Sequence, residues 1–502
     1  MAFVKSVLNW WLKKRIHQIE LFNKYPIEVQ EDVFNKLITT SRDTEWGKKF
    51  DYKSINSISD FQSRVPISSY EDIKPFIDRL RKGEQNILWP EEITWFAKSS
   101  GTTAGKSKFI PVSPSALEEC HFKGGKDMLA IYLTLYPNSE LFEGKSLVMG
   151  GSRDIFEISN TTYIEGDLSA ILMHNLPFWA QFKRTPSLTI ALMDEWENKL
   201  ELMVESTMSH DVRGISGVPS WMLVLLRKVL AKSGKQNIHE IWPNLEVFFH
   251  GGVNFEPYRE QYNRIISTDK IIYSDTYNAS EGFFGIQDQK DKTDLLLMLD
   301  YGVYYEFIQA SEYDTQNPEV VKLADVKLGI NYVLIISTNA GLWRYVIGDT
   351  VIFTSLSPFR IRITGRIKNF LNAVGEELII DNAEKALAVA CLKTGALISE
   401  YTAAPLFSNN EVLHQWLIEF EKEPNNFEFF NEVFDNALKS VNSDYEAKRY
   451  HNMVLKQPII VNLKKGTFYS WMKDRNKLGG QNKVPRLSGS REYVEAILKI
   501  KK

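Results

Sequence analysis

The sequence predicts an α/β protein with a large N-terminal domain of sheets covered by helices and a smaller α/β C-terminal domain. Three observations predict it. Short apolar runs of strand type recur along the chain, helical periodicity lies between them, and the texture changes near residue 365. The strand-type runs are Ser146–Met149, Val247–Phe249, Ile271–Tyr273 and Tyr332–Ile336, and helical patterning spans Met193–Met208 and Ser220–Ala231. Around 360–375 a polar, basic stretch, Thr364-Gly365-Arg366-Ile367-Lys368-Asn369, interrupts the pattern. Asp381 to Glu384 then reads as a helix start with a capping-box-like pair, and Gly395 reads as its stop. Strand (His414–Phe420), helix (Phe427–Val441), strand (Pro458–Leu463) and helix (Thr467–Asp474) follow. The expected domains are therefore 1–365 and 366–502.

Composition narrows the function classes. The chain has 502 residues, roughly three domain-equivalents at about 150 residues each. A core of that size needs no disulfide or metal staple. With 60 Lys+Arg against 63 Asp+Glu, the near balance argues against a dedicated nucleic-acid binder. The only two cysteines, Cys120 and Cys391, are far apart, which excludes a disulfide framework and metal-ligand spacing. Met1 to Phe22 mixes Trp10 and Trp11 with Lys5, Lys13, Lys14 and Arg15. Its apolar stretches are too short for a signal core or a membrane span, so an amphipathic helix docked on the body is expected. The expectation is a cytoplasmic monomer that engages neither membrane nor nucleic acid.

The segment Ser99-Ser100-Gly101-Thr102-Thr103-Ala104-Gly105-Lys106-Ser107-Lys108 holds two glycines, five hydroxyl residues and two lysines within ten positions. Such a loop presents backbone N–H groups, hydroxyls and ammonium charge to a polyphosphate. A nucleotide-binding P-loop needs four residues between its glycines and a helix behind it. Here Gly101 and Gly105 enclose three, and Phe109-Ile110-Pro111-Val112 reads as extended.

This loop resembles the phosphate-gripping motif of the adenylate-forming superfamily, in particular the auxin-responsive acyl-acid amido synthetase family in its shorter bacterial form. Further segments match in the same order. On residues alone, His250-Gly251-Gly252-Val253 is an ordinary turn after a strand; in the superfamily this backbone lies against adenine. Tyr277-Asn278-Ala279-Ser280-Glu281-Gly282, read as following the strand Ile271–Tyr273, resembles the superfamily's Tyr-Gly-x-Thr-Glu motif, with Asn278 and Ser280 as departures. Gly341-Leu342-Trp343-Arg344-Tyr345-Val346-Ile347-Gly348-Asp349 resembles the family's ribose-binding segment, although many relatives carry Arg where Val346 stands. A structural ion pair is the alternative for Arg344 and Asp349. Thr364-Gly365-Arg366 through Gly375-Glu376-Glu377 looks like the hinge and first strand pair of a mobile small domain. Gly479 to Arg486 resembles the loop carrying the catalytic lysine, Lys483.

The resemblance implies an ATP site from Ser99, Ser100, Gly101, Thr102, Thr103, Gly105, Lys108, Gly251, Gly252, Val253, Tyr277, Asn278, Ala279, Ser280, Asp349 and Arg366. Tyr277 would stack on adenine, Ser280 touch the α-phosphate, Asp349 hold the ribose hydroxyls and Glu281 ligate Mg²⁺. The helix over roughly 115–136 would line an acid pocket with His121 and Lys126, for which ordinary surface residues are the alternative, joined by Val218 and Trp221, for which plain core is the alternative. The activity implied is ATP-dependent conversion of a carboxylic acid to an acyl-adenylate, then transfer to an amine, typically of an amino acid. An acyl-CoA ligase shares the first step. A catalytically silent acyl- or nucleotide-binding protein is the other reading, against which Glu281, Asp349 and Lys483 all argue.

Overall fold

Runs such as Val247–Phe249, with no polar residue for a solvent face, belong between layers of helices, because strands in parallel sheets are covered on both sides. In the computed structural model Val247, Phe248 and Phe249 are all buried, on a strand parallel to both its neighbours. The structure describes residues 14–99, 108–176, 178–252, 255–313, 315–367, 370–371, 373–374, 376, 378–408, 411–449, 455–479 and 482–500. The chain divides into two units: residues 1–252, 269–347 and 351–362 form the first, and 253–268, 348–350 and 363–502 the second. The two earlier segments of the second unit are not anticipated by a single boundary at 365.

In the first unit, Arg184–Thr185, Lys145–Val148, Val212–Gly217, Val247–Gly251 and Ile272–Ala279 lie side by side, all parallel. The sheet turns antiparallel at Gly282–Ile286 and Leu295–Leu297 and runs on to twelve strands. The helix Pro219–Ser233 begins on proline and ends at Gly234, whose φ of +70° suits a residue without Cβ. A smaller sheet pairs Trp95–Ser99 with Lys108–Val112 antiparallel and with Thr161–Gly166 parallel. The strand at Lys108 replaces the helix that a P-loop would require.

Residues 14–24 are helical, which is the described part of the expected N-terminal helix. Ile19 and Phe22 are buried. Arg15, also buried, donates from Nε to Asp127 at 2.8 Å and from Nη1 to Asp300 at 2.7 Å. Tyr301 donates its hydroxyl to Asp127 at 2.6 Å. No described helix is long and apolar enough to cross a membrane.

In the second unit Glu411–Lys422 is the middle strand, antiparallel to Leu397–Ser408 and parallel to Ile459–Leu463. Trp416 at its centre meets Phe434 of the helix Phe427–Val441 edge-on at 4.8 Å. The helix expected to open at Asp381 starts at Ile380 instead. Its reach-back comes from Asn382, which accepts from the Ile379 N–H at 3.2 Å, not from Glu384. Gly395 ends it at φ +68°. The helix Glu256–Ile265 also belongs here, with Gln261 donating to the Ile398 carbonyl at 2.7 Å.

A short hairpin, Phe370–Leu371 with Leu378–Ile379, follows the expected hinge. Fully buried Glu376 organises its connection, accepting from the Ala373 and Val374 amides at 2.7 and 2.8 Å and pairing with His414 Nε2 at 2.7 Å. Burial pushes its carboxyl up, but His414 and the two amides outweigh it and bring it down to about 2.

Two outcomes follow for stability. Arg15→Met strands the fully buried Asp127, and urea denaturation should show a loss of about 3–5 kcal/mol. Glu376→Gln should cost about 1.5–3 kcal/mol at neutral pH. Because the folded carboxyl lies below its ordinary 4.5, its contribution is complete above that value. The difference between variant and wild type should therefore shrink as pH falls from 4.5 through about 2.

Candidate functional site

Ligands of α/β sheets bind beyond the carboxyl ends of the strands. Four neighbouring parallel strands end here on Val148, Gly217, Gly251 and Ala279. The residues that follow are Met149, Val218, Gly252 and the Ser280–Glu281 turn. At about 4.8 Å per strand, Val218 and Ser280 stand on strands roughly 10 Å apart. Expected acid-pocket and nucleotide residues thus share one edge.

Local packing sets that edge. A Cβ on Gly251 would lie 2.5 Å from the Thr276 carbonyl oxygen, so only glycine lets the two strands approach. Gly252 has φ +82°, the left-handed region that favours glycine. Thr276 donates from Oγ1 to the His250 carbonyl at 3.0 Å, and His250 Nδ1 lies 3.3 Å from Asp275 Oδ1. Tyr277, Asn278 and Ala279 lie inside the strand Ile272–Ala279, not beyond it as the sequence suggested; only Ser280 and Glu281 form the turn. Tyr277 is buried, its ring edge-on to Phe284 at 4.9 Å. Ser280 and Glu281 are buried as well.

Opposite this turn runs the helical stretch expected over 115–136. Its residues Leu117–Phe122 are wound as a π-helix before Lys123–Leu135 continues as α. Such widened turns recur at functional sites. Cys120 Sγ accepts from the Phe283 N–H at 3.2 Å, tying the π segment to the strand after the turn. His121 is buried, not a surface residue, and faces Asn278. Burial pushes its imidazole down to about 4, against the raising effect of Asn278. His121 Nδ1, Asn278 Oδ1 and Ser280 Oγ are buried with no hydrogen-bond partner among the described residues. Buried polar atoms are ordinarily satisfied, so this cluster is fit to receive a polar ligand.

The other expected residues are placed as follows. Ser99 and Lys108 face each other as the last pair of the antiparallel ladder. The Lys108 ammonium lies 5.5 Å from the Tyr70 ring and 6.0 Å from the Tyr345 ring. Ser100, Gly101, Thr102, Thr103, Gly105 and Val253 lie outside the described residues. Lys126 is exposed, and Trp221 is buried with its ring edge-on to Trp196 at 4.9 Å. Arg344 is buried at φ +43° and donates to both oxygens of Glu306 at 3.0 Å. This is a structural ion pair, and its partner is Glu306. Asp349 accepts from Arg366 Nε at 2.7 Å, so these two expected ribose residues are adjacent. Lys483 is exposed.

Glu281 has no cluster of further carboxylates or imidazoles around it: among the described residues no group of three metal-ligating side chains occurs. Mg²⁺ is commonly held by one or two carboxylates with substrate phosphates and water completing its shell, and the Glu281 carboxylate is a donor of that hard-oxygen kind. Sequence reasoning missed Cys120 and Glu306. A lone cysteine in a helical pattern carries no signal, and the glutamate is separated from Arg344 by 38 positions.

The fold is that of the adenylate-forming ligases. The chain superposes on 2-hydroxyisobutyryl-CoA ligase in its post-adenylation state with a TM-score of 0.57, at 12% identity over 94% of this chain and 91% of that one. On GH3.15 acyl acid amido synthetase the TM-score is 0.78, at 18% identity over 96% and 95%. Within that class the chain belongs to the GH3 family: the family's N-terminal, central and C-terminal domains match residues 15–271, 296–366 and 381–492. Similar relatives from Arabidopsis thaliana include indole-3-acetic acid-amido synthetase GH3.3, 25% identical over 96% of this chain and 93% of that protein. Another is 4-substituted benzoates-glutamate ligase GH3.12, 24% identical over 93% and 94%.

Proposed function

We propose that this protein is an ATP-dependent acyl-acid amido synthetase: it activates a carboxylic acid as its acyl-adenylate and passes the acyl group to the amine of an amino acid. The observation that carries this reading is the trio of unpartnered buried polar atoms on His121, Asn278 and Ser280, beside Glu281, at the strand ends of a GH3-family fold.

A carboxylate repels nucleophiles and would have to expel oxide. In the first half-reaction a carboxylate oxygen attacks the α-phosphorus of ATP. A new O–P bond forms, and the bond to pyrophosphate breaks. No protein nucleophile is required, so catalysis is positioning and charge stabilisation. The loop between Ser99 and Lys108 grips the outer phosphates. Ser280 donates to the α-phosphate, Asp349 and Arg366 hold the ribose, and Lys483 opposes the charge developing on the phosphoryl oxygens. Glu281 holds Mg²⁺, which when bound supplies charge neutralisation at the phosphates. His121, kept neutral by burial, faces the acid's carboxylate. In the second half-reaction the amine nitrogen attacks the acyl carbon, AMP leaves, and the nitrogen gives up a proton. Rotation at Gly365, whose φ is +152°, withdraws Lys483 between the two steps.

The test is acid-dependent ATP–pyrophosphate exchange, with indole-3-acetic acid, 4-substituted benzoates and 2,4-DB as first acids and an amino-acid screen on the fastest. AMP and pyrophosphate are the expected products, and ADP would refute the scheme. A thioester made from added CoA, with no amide from any amino acid, would point to the CoA-ligase reading. Lys483→Ala should slow exchange by about 10²–10³ while sparing transfer from supplied acyl-adenylate. Equal losses in both half-reactions would remove Lys483 from this role.

A further inference from the structure

We propose that Arg486 is the positioning residue for Lys483, an inference that rests on reading Lys483 as the adenylation lysine. Lys483 is exposed, and the backbone that carries it bounds how far its long side chain can reach. On its N-terminal side the Asn482 N–H donates to the Gly479 carbonyl at 3.2 Å. On its C-terminal side the chain is laid along the strand Leu397–Ser408. Thr402 donates from Oγ1 to the Pro485 carbonyl at 2.6 Å, the Ala403 N–H to the Arg486 carbonyl at 2.9 Å, and the Ser488 N–H to the Ala403 carbonyl at 3.0 Å.

Arg486 is the charged side chain at the centre of this ribbon. Its guanidinium forms an ion pair with Glu400, donates from Nη2 to the Tyr258 hydroxyl at 2.6 Å and lies over the Tyr401 ring at 4.5 Å. Tyr258 and Tyr401 are both buried. The guanidinium is thus fixed by a carboxylate, a hydroxyl and an aromatic face, a combination that suits a flat fork and not an ammonium. Val484 is buried and Lys483 exposed, so burying Val484 and tethering half-buried Arg486 turns Lys483 outward. Three residues of extended chain span at most about 11 Å, so the anchor at Arg486 bounds where Lys483 can go. Tyr258 comes from the helix Glu256–Ile265, only six residues after Gly252 in the chain, so the anchor joins the lysine loop to the helix that follows the glycine pair.

The experiment compares Arg486→Lys, Tyr258→Phe, Lys483→Ala and the Lys483→Ala/Arg486→Lys double variant in the full chain, with the fastest acid of the panel as probe. Arg486→Lys should lower pyrophosphate exchange by as much as about 10²-fold, the cost of ångström-scale misplacement, while transfer from supplied acyl-adenylate stays within about threefold. In the Lys483→Ala background it should cost nothing further, because a residue acting through Lys483 loses its effect with it. Independently of any acid, Tyr258→Phe should speed trypsin cleavage after Lys483 without lowering the thermal midpoint. Equal loss in both half-reactions, no loss in either, an undiminished effect in the double variant, or unchanged cleavage would each overturn the proposal. Should Lys483→Ala itself retain full exchange, it is the reading of Lys483 that fails; should Lys483→Ala lose exchange and Arg486→Lys not, only the role of Arg486 fails.

Discussion

The site depends on the close approach of Gly251 to the Thr276 carbonyl. Two parallel strands touch there with no side chain between them, and the ladder Val247↔Ile272 to Gly251↔Thr276 is set by it. A shift of one residue would turn every side chain of Ile272–Ala279 to the opposite face. It would bury Asn278 in place of Tyr277 and lift the Ser280–Glu281 turn away from the π segment. A glycine with no chemistry of its own therefore decides where the groups with chemistry stand.

The molecule treats charge in two ways. Arg344 with Glu306, Glu376 with His414, and Arg15 with Asp127 and Asp300 are buried and mutually satisfied. Breaking one of them leaves a naked charge in a poor dielectric, so they specify geometry more than they add stability. His121 and Ser280 are buried too, and half-buried Asn278 turns its Oδ1 inward, yet each keeps a buried atom without a partner among the described residues. The first group fixes the frame and the second offers buried polar atoms, which is the division expected of an enzyme that works by preorganised electrostatics.

Much of this was legible in the sequence, for local reasons. The helices Phe427–Val441 and Thr467–Asp474 have the bounds that periodicity indicates, and Gly395 stops its helix because a left-handed residue is needed there. What escaped was set by distant partners. Tyr277 to Ala279 read as following a strand that ends at Tyr273, but pairing with Gly282–Ile286 draws them into the ladder. The start of the helix at Ile380 was masked because Glu384 and Asn382 compete for the same reach-back. For His121 the sequence left pocket and surface readings open, and the π segment folds it against Asn278. The partnership of Arg486 with Tyr258 spans 228 positions, and no local pattern announces it.

The second unit is assembled from three stretches of chain, 253–268, 348–350 and 363–502. Its strand Leu397–Ser408 takes a hydrogen bond from Gln261, and its arginine anchor uses a tyrosine from the same early helix. A polypeptide severed at residue 366 would separate that helix from the strand it braces. The small domain of this protein is thus not a detachable module in the genetic sense. Swapping it between relatives to exchange specificity would require carrying residues 253–268 along with it, as a discontinuous graft.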